Sequence, residues 1–152
     1  MSRYLRPRIA GASIFFTVGL ERRGGSLLID NISVLRDAVR QTRRERWFTI
    51  DAWVVLPDHM HCVWTLPEGD SDYSLRWSVI KARFSRQMAP VPRRASMVAR
   101  RERSIWQRRF WEHHLRSEED WKAAIAYCWM NPVKHGLADR PEDWPYSSIN
   151  RP

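Results

Sequence analysis

Residues 48–66, FTIDAWVVLPDHMHCVWTL, decide the fold of this chain. The runs Phe48–Leu56 and His59–Leu66 are rich in β-branched and aromatic residues, which predicts two strands. Between them, Pro57 lacks the backbone N–H that a β-ladder needs, and Asp58 favours a turn. We therefore expect an antiparallel hairpin near the centre of the chain.

Outward from this hairpin, strand-like and helix-like patterns alternate. Apolar residues at helical spacing predict one helix before the hairpin, one after it and a third near the C-terminus. In chain order the predicted elements are a strand Ala12–Val18, a helix from Asp30 or Asn31 to about Arg46, the two hairpin strands, a helix from Ser74 to about Met88, a strand Trp111–Leu115 and a helix from Ser117 to about Asn131.

The order β-α-β-β-α-β-α predicts an α+β protein with a ferredoxin-like antiparallel sheet. Its helices should pack mainly on one face of the sheet, and the C-terminal helix is an addition to the basic plan. The length of 152 residues fits a single domain, residues 1–152, with a C-terminal tail from about residue 137.

The charge of the chain favours a polyanionic partner. Lys and Arg number 26 against 17 Asp and Glu, which gives a net charge of +9. Residues 1–50 and 89–110 carry +6 each, and the second segment also contains Trp106. Because Arg grips phosphate bidentately and stacks on bases, nucleic acid is favoured over an anionic membrane surface. The alternative for residues 89–110 is an Arg-rich loop that is merely solvated.

The expected DNA contacts lie in the second predicted helix and in this segment. The candidate side chains are Lys81, Arg83, Arg93, Arg94, Arg100, Arg101, Arg108 and Arg109. The apolar stretch Ile9–Leu20 is too short to cross a bilayer, and two cysteines cannot form a disulfide framework. We therefore expect a cytoplasmic protein that acts on nucleoid DNA and has no membrane partner.

Two histidines stand in the second strand of the hairpin. Side chains alternate between the faces of a strand, so His59 and His61 point to the same side, about 6–7 Å apart along the chain. That spacing lets both imidazoles reach one metal ion, although the same pattern is also common at structural positions. Met60 and Cys62 point to the other face, which must pack on helices.

Tyr127 and Asn131 are one turn apart in the last predicted helix and share a face. We expect this helix to stop near Asn131, because a residue before proline is disfavoured in a helix. Two imidazoles, an amide oxygen and a phenol could surround one divalent ion and one phosphate. A mixed oxygen and imidazole donor set suits Mg²⁺ or Mn²⁺ that is also held by substrate phosphate.

Taken together, these motifs resemble a known family. The segments that carry the resemblance are Leu35–Val39, Ala52–His61, Ile80-Lys81 with Phe84-Ser85, Trp106–His113, Tyr127 with Asn131–Leu137, and Trp144–Ser148. They are similar to the single-tyrosine transposases with an HUH motif (histidine, a hydrophobic residue, histidine), and most of all to the REP-associated tyrosine transposases.

The resemblance implies a function and a set of roles. His59 and His61 would be the metal-binding pair, Asn131 the third metal ligand and Tyr127 the nucleophile. The family cuts single-stranded DNA near imperfect hairpins, leaves a 5′-phosphotyrosine and a free 3′-hydroxyl, and can rejoin strands. It requires Mg²⁺ or Mn²⁺ and no nucleotide cofactor, and it contains both monomers and homodimers.

Two other functions are compatible with parts of the pattern. A hairpin-DNA-binding protein derived from such a transposase would keep the basic surface without catalysing cleavage. A histidine-dependent phosphodiesterase would normally carry two separate His-x-Ser/Thr motifs, whereas Cys62-Val63 follows His61 here. The chain also departs from the family at Cys128-Trp129 and at His114, and none of these positions is an inferred ligand or the nucleophile.

Overall fold

A four-stranded antiparallel sheet with the order β2-β3-β1-β4 forms the centre of the molecule. The computed structural model describes residues 8–88 and 105–151. The strands are β1 (Ser13–Gly19), β2 (Thr49–Val55), β3 (His59–Thr65) and β4 (Trp111–Leu115). The helices are α1 (Leu27–Asp30), α2 (Ile32–Glu45), α3 (Tyr73–Arg86) and α4 (Glu118–Lys134), followed by short 3₁₀ turns at Pro141–Asp143 and Ser148–Asn150. This is the predicted α+β, ferredoxin-like arrangement with an additional C-terminal helix.

The two faces of the sheet bury different helices. On one face, α2 and α3 cover a large aromatic core in which the rings of Trp64 and Trp77 stack at 4.4 Å. On the other face, Ile125 and Cys128 of α4 pack against Val54 and Val63. The prediction that helices lie mainly on one face is therefore confirmed, and within residues 8–88 and 105–151 α4 is the long helix on the opposite face.

Three helix boundaries differ from those predicted. Asp72, and not Ser74, caps α3, since its side chain accepts from the Leu75 backbone N–H at 3.1 Å. This helix ends at Arg86 instead of about Met88. The start of α2 agrees with the prediction, because Asn31 is its N-cap residue, although the Asn31 side chain makes no capping hydrogen bond and donates back to the Leu27 carbonyl of the short helix α1 at 2.9 Å.

The third difference is at the end of α4, which continues through Pro132 to Lys134. Pro132 and Asn131 are both buried, so packing on the sheet outweighs the local preference against helix before proline. The helix closes at Gly136, whose φ of 72° lies in the left-handed region that glycine adopts without strain. The extra turn brings His135 to the end of the helix.

The C-terminal segment that follows α4 covers the outer edge of β2. The Val55 backbone N–H donates to the Tyr146 carbonyl at 2.9 Å, and Trp144 Nε1 donates to the Val55 carbonyl at 2.9 Å. The Trp53 backbone N–H donates to Ser148 Oγ, also at 2.9 Å. Edge groups of the sheet that would otherwise be open are therefore paired within the chain. No helix within residues 8–88 and 105–151 combines the length and apolar character of a membrane span.

Candidate active site

The central strand β3 places both histidines on the face of the sheet that α4 covers. His61 lies opposite Thr17 of β1, and His59 lies opposite Gly19. Their ring centroids are 5.0 Å apart and the ring planes are nearly perpendicular. His61 is buried, and the side chain of His59 is only 11% exposed. The two imidazoles are thus adjacent at the edge of the core.

Each imidazole is held through its Nδ1 atom. His59 Nδ1 lies 2.7 Å from Asp58 Oδ1, and His61 Nδ1 lies 2.8 Å from Thr17 Oγ1. Asp58 is itself fixed by the Gly24 backbone N–H at 2.8 Å and by Arg23 Nε at 3.4 Å. Contacts of this kind orient metal-binding histidines in proteins, and they leave Nε2 of each ring as the nitrogen for a ligand.

Burial keeps both imidazoles neutral. Burial is the main cause that lowers the pKa of His61, to about 3, and the neighbouring His59 and His135 add to it. Burial also lowers the pKa of His59, and this effect outweighs the opposite effect of the Asp58 carboxylate. Although burial alone would raise the pKa of Asp58, its hydrogen bonds to Gly24 and His59 lower it on balance. At neutral pH the pair is therefore in the form that binds a cation.

Helix α4 places the tyrosine beside this pair. The Tyr127 ring meets the His61 ring at a centroid distance of 5.3 Å and the Phe15 ring at 5.6 Å, both edge-on. Tyr127 is 43% exposed, so solvent can reach it, while the rings of Phe15 and His61 support its ring. The ammonium of Lys134 lies 5.3 Å from the ring centroid. A cation over an aromatic ring is attracted by the negative face of the ring, so Lys134 packs against the tyrosine.

The side chain of Asn131, one turn further along α4, is buried without a hydrogen-bond partner among the described residues. It is 1% exposed, and neither Oδ1 nor Nδ2 of its side chain meets a partner in the described structure. A buried amide in this state costs about 1–3 kcal/mol for each missing bond, so a partner from outside the chain is expected.

Asn131 lies one turn from Tyr127, whose ring contacts His61, and one turn before His135, whose ring contacts His59, so it shares the helix face that lies over the two histidines. Within the described ranges, no three His, Cys, Asp or Glu side chains form a metal-binding group. A metal held by His59 and His61 would therefore need a third protein donor of another type. The orphaned Oδ1 of Asn131 is such a donor, and the set of two imidazoles and one amide oxygen fits Mg²⁺ or Mn²⁺.

Several contacts in this region were not predicted from the sequence. Thr17 and Asp58 hold the histidines, and Arg23 Nη2 lies 3.4 Å from His59 Nδ1. The ring of His135 is 5.6 Å from the ring of His59. His135 follows Asn131 by four residues, so helical spacing would have revealed it had the helix not been expected to stop at Asn131.

The described basic residues that were expected to contact DNA differ in their surroundings. Lys81 Nζ donates to the Gln107 carbonyl at 3.3 Å, and Arg83 bonds Thr42 Oγ1 at 2.9 Å and Glu45 Oε1 at 2.6 Å. Arg108 and Arg109 are exposed on the segment before β4. The remaining candidates lie outside the described residues: Arg93, Arg94, Arg100 and Arg101.

A second group of arginines lines a groove between α2 and the C-terminal segment. This group was not predicted from the sequence. Arg36, Arg40 and Arg43 follow one another at helical spacing, and Arg151 faces them. Burial, and then the charge of Arg151, lower the pKa of Arg43. The groove is therefore a concentrated positive site on the α2 side of β2.

Comparison with known proteins identifies the family. No family model matches the chain. A REP-associated tyrosine transposase from Escherichia coli is 45% identical over 99% of this chain and 84% of its own length. A second relative, from Haemophilus influenzae, is 41% identical over 99% of this chain and 87% of its own length.

Solved structures agree with the relatives. A REP-associated tyrosine transposase bound to a REP hairpin superimposes with a TM-score of 0.85 at 45% identity, over 99% of this chain and 84% of that chain. A protein from Deinococcus radiodurans shares only the fold, with a TM-score of 0.50 at 14% identity over 90% of this chain and 98% of that chain. This chain belongs to the REP-associated tyrosine transposases.

Proposed function

We propose that this chain cuts single-stranded DNA beside a hairpin and becomes joined to the new 5′ end through Tyr127. The observation that carries the proposal is the position of the Tyr127 ring against the neutral His61, with the orphaned Asn131 amide one turn away. The similar structure of a REP-associated tyrosine transposase bound to a REP hairpin supports hairpin DNA as the substrate.

The residues present fit a divalent ion in this reaction. Nε2 of His59 and of His61, with Oδ1 of Asn131, would hold Mg²⁺ or Mn²⁺. When bound, such an ion polarises a phosphate and neutralises part of its charge. Asp58 and Thr17 fix the two rings through Nδ1, so the chain supplies a preoriented pair of Nε2 atoms for the ion.

The chemical step is an in-line displacement at phosphorus. Tyr127 Oη attacks the scissile phosphorus and loses its proton, a bond forms between Oη and phosphorus, and the bond from phosphorus to the 3′ oxygen breaks. The released 3′ oxygen takes up a proton and becomes a hydroxyl. Reversal of these steps with another 3′-hydroxyl rejoins strands.

Phosphate contacts position the DNA and supply most of the affinity. We propose the exposed Arg108 and Arg109 for this role, with Lys81, Arg83, Arg93, Arg94, Arg100 and Arg101 as further candidates. Because such contacts are separate from the chemistry, binding and cleavage should respond to different substitutions.

The test is incubation with a REP hairpin that carries single-stranded flanks, in Mn²⁺ and in EDTA, followed by a denaturing gel. We expect a covalent protein–DNA band in Mn²⁺ only. Tyr127→Phe should abolish the band while hairpin binding persists, and Tyr146→Phe is the matched control that should keep it. Cleavage without any adduct would indicate attack by water, and binding without cleavage would indicate a hairpin-binding protein that is not an enzyme.

A further inference from the structure

An open groove of about 530 Å³ lies directly beside Tyr127 on the α4 face of the sheet. Its floor is formed by Phe15 and Thr17 of β1, and one wall is formed by Trp111 and His113 of β4. The opposite wall is the N-terminal half of α4, with Asp120 at one end and Tyr127 at the other. The groove therefore runs from the nucleophile towards the start of the helix.

The β4 wall presents an aromatic platform to solvent. Trp111 and His113 alternate with buried residues along the strand, and their rings are nearly parallel, with centroids 5.8 Å apart and planes 8° apart. Trp111 is 57% exposed, although its edge is supported by the Phe15 ring at 5.8 Å. Large exposed aromatic rings with fixed orientation are what single-strand-binding proteins use to stack unpaired bases.

Charge separates the two ends of this region. The first turn of α4 carries Glu118, Glu119 and Asp120, which repel phosphate. At the Tyr127 end, Lys134 and Arg23 lie near the tyrosine and the histidines. A nucleotide laid along the groove would thus place its phosphate at the Tyr127 end and its uncharged base over Trp111.

We infer that this groove binds the unpaired base of a nucleotide that flanks the scissile phosphate. This inference rests on the proposed function, because it takes the reacting phosphate to be at Tyr127. Trp111 and His113 stack on the base, and the Asp120 carboxylate, which can only accept hydrogen bonds, selects a base that offers an amino group. Adenine, cytosine and guanine carry such a group, whereas the one base donor of thymine, N3–H, lies between two carbonyl oxygens that the carboxylate repels.

The test uses REP hairpins with 2-aminopurine at single positions of the single-stranded flank, bound to the Tyr127→Phe protein so that cleavage does not interfere. We expect strong fluorescence quenching at one flank position. Adding Trp111→Ala should remove that quenching and weaken binding about 5- to 150-fold, the range expected for losing one stacked base. Trp111→Phe should restore most of both. Trp47→Ala is the matched control, since Trp47 is 56% exposed but stacks under Arg43 outside the groove.

Two further results decide the inference. Asp120→Asn should reduce the discrimination against thymine at the quenched position about tenfold, while the overall fold by circular dichroism stays unchanged. Quenching that survives Trp111→Ala, or that disappears equally with Trp47→Ala, would overturn the base site. Failure of the wild-type protein to form a Tyr127 adduct, with Trp111-dependent quenching intact, would instead refute the proposed cleavage and leave the base site standing.

Discussion

At the scale of single residues, contacts of Nδ1 with neighbouring side chains fix the orientation of the His59 and His61 rings. Thr17 Oγ1 is the partner of His61 Nδ1 at 2.8 Å, and valine has nearly the same shape but no hydroxyl. We expect Thr17→Val to fold normally and to bind Mn²⁺ about 10- to 100-fold more weakly, as is usual when the partner of a metal-binding histidine is lost. Isothermal titration with Mn²⁺ measures this, with Ser13→Ala on the same strand as the control. Equal affinities would show that Thr17 does not orient the ring.

The buried His61 also predicts how stability depends on pH. Its pKa is about 3 in the folded protein, against about 6.5 in the unfolded chain, so the unfolded state binds the extra proton first as pH falls. The contribution of the neutral His61 ring to the free energy of unfolding is therefore complete above about pH 6.5 and is lost progressively below it. From pH 7 to pH 5 the loss is up to about 2 kcal/mol.

Urea unfolding in metal-free buffer tests this prediction. The difference in free energy of unfolding between wild type and His61→Gln should shrink, or change sign, on going from pH 7 to pH 5. Glutamine serves as the reference because it is polar, is of similar size and does not titrate. A difference that stays constant between these pH values would mean that the pKa of His61 is the same in the folded and the unfolded protein.

At the scale of secondary-structure elements, helix α4 supplies two residues of the proposed site, Tyr127 and Asn131. It brings Tyr127 to His61 and buries Asn131 with both polar atoms unpaired. We expect Asn131→Leu to raise the stability of the metal-free protein by about 1–3 kcal/mol, since an apolar side chain removes the unpaired groups. The same variant should lose the stabilisation that Mn²⁺ gives to the wild type. Thermal unfolding with and without Mn²⁺ measures both, and an Mn²⁺ shift equal to that of the wild type would exclude Asn131 as a ligand.

The strands and the long helices of the described residues could be predicted from the sequence, in kind and in order. Because side chains alternate between the two faces of a strand, residues 59–66 alone indicated that His59 and His61 share one face of β3. The end of α4 could not be predicted, because packing of Pro132 on the sheet overrode a local preference. The partnership of Thr17 with His61 was also invisible, since it depends on the register of two strands 44 residues apart in the chain.

At the scale of the whole molecule, the C-terminal segment closes one edge of the sheet. Its contacts with Trp53 and Val55 occupy backbone groups of β2 that would otherwise be open to a strand from a second copy. We expect the full chain to be monomeric and a chain truncated before Trp144 to self-associate through β2. Light scattering after size exclusion measures this, with removal of residues 151–152 alone as the control. A truncated protein that stays folded and monomeric would contradict this role of the segment.

Peptide mapping of the adduct shows whether Tyr127 becomes covalently joined to DNA. Wild-type protein is reacted with a flanked REP hairpin and Mn²⁺, the DNA is trimmed by nuclease, and the tryptic peptides are sequenced by mass spectrometry. We expect a nucleotide linked through a 5′ phosphate to Tyr127, with unmodified Tyr146. A nucleotide on Tyr146, or cleaved DNA with no modified tyrosine, would contradict it.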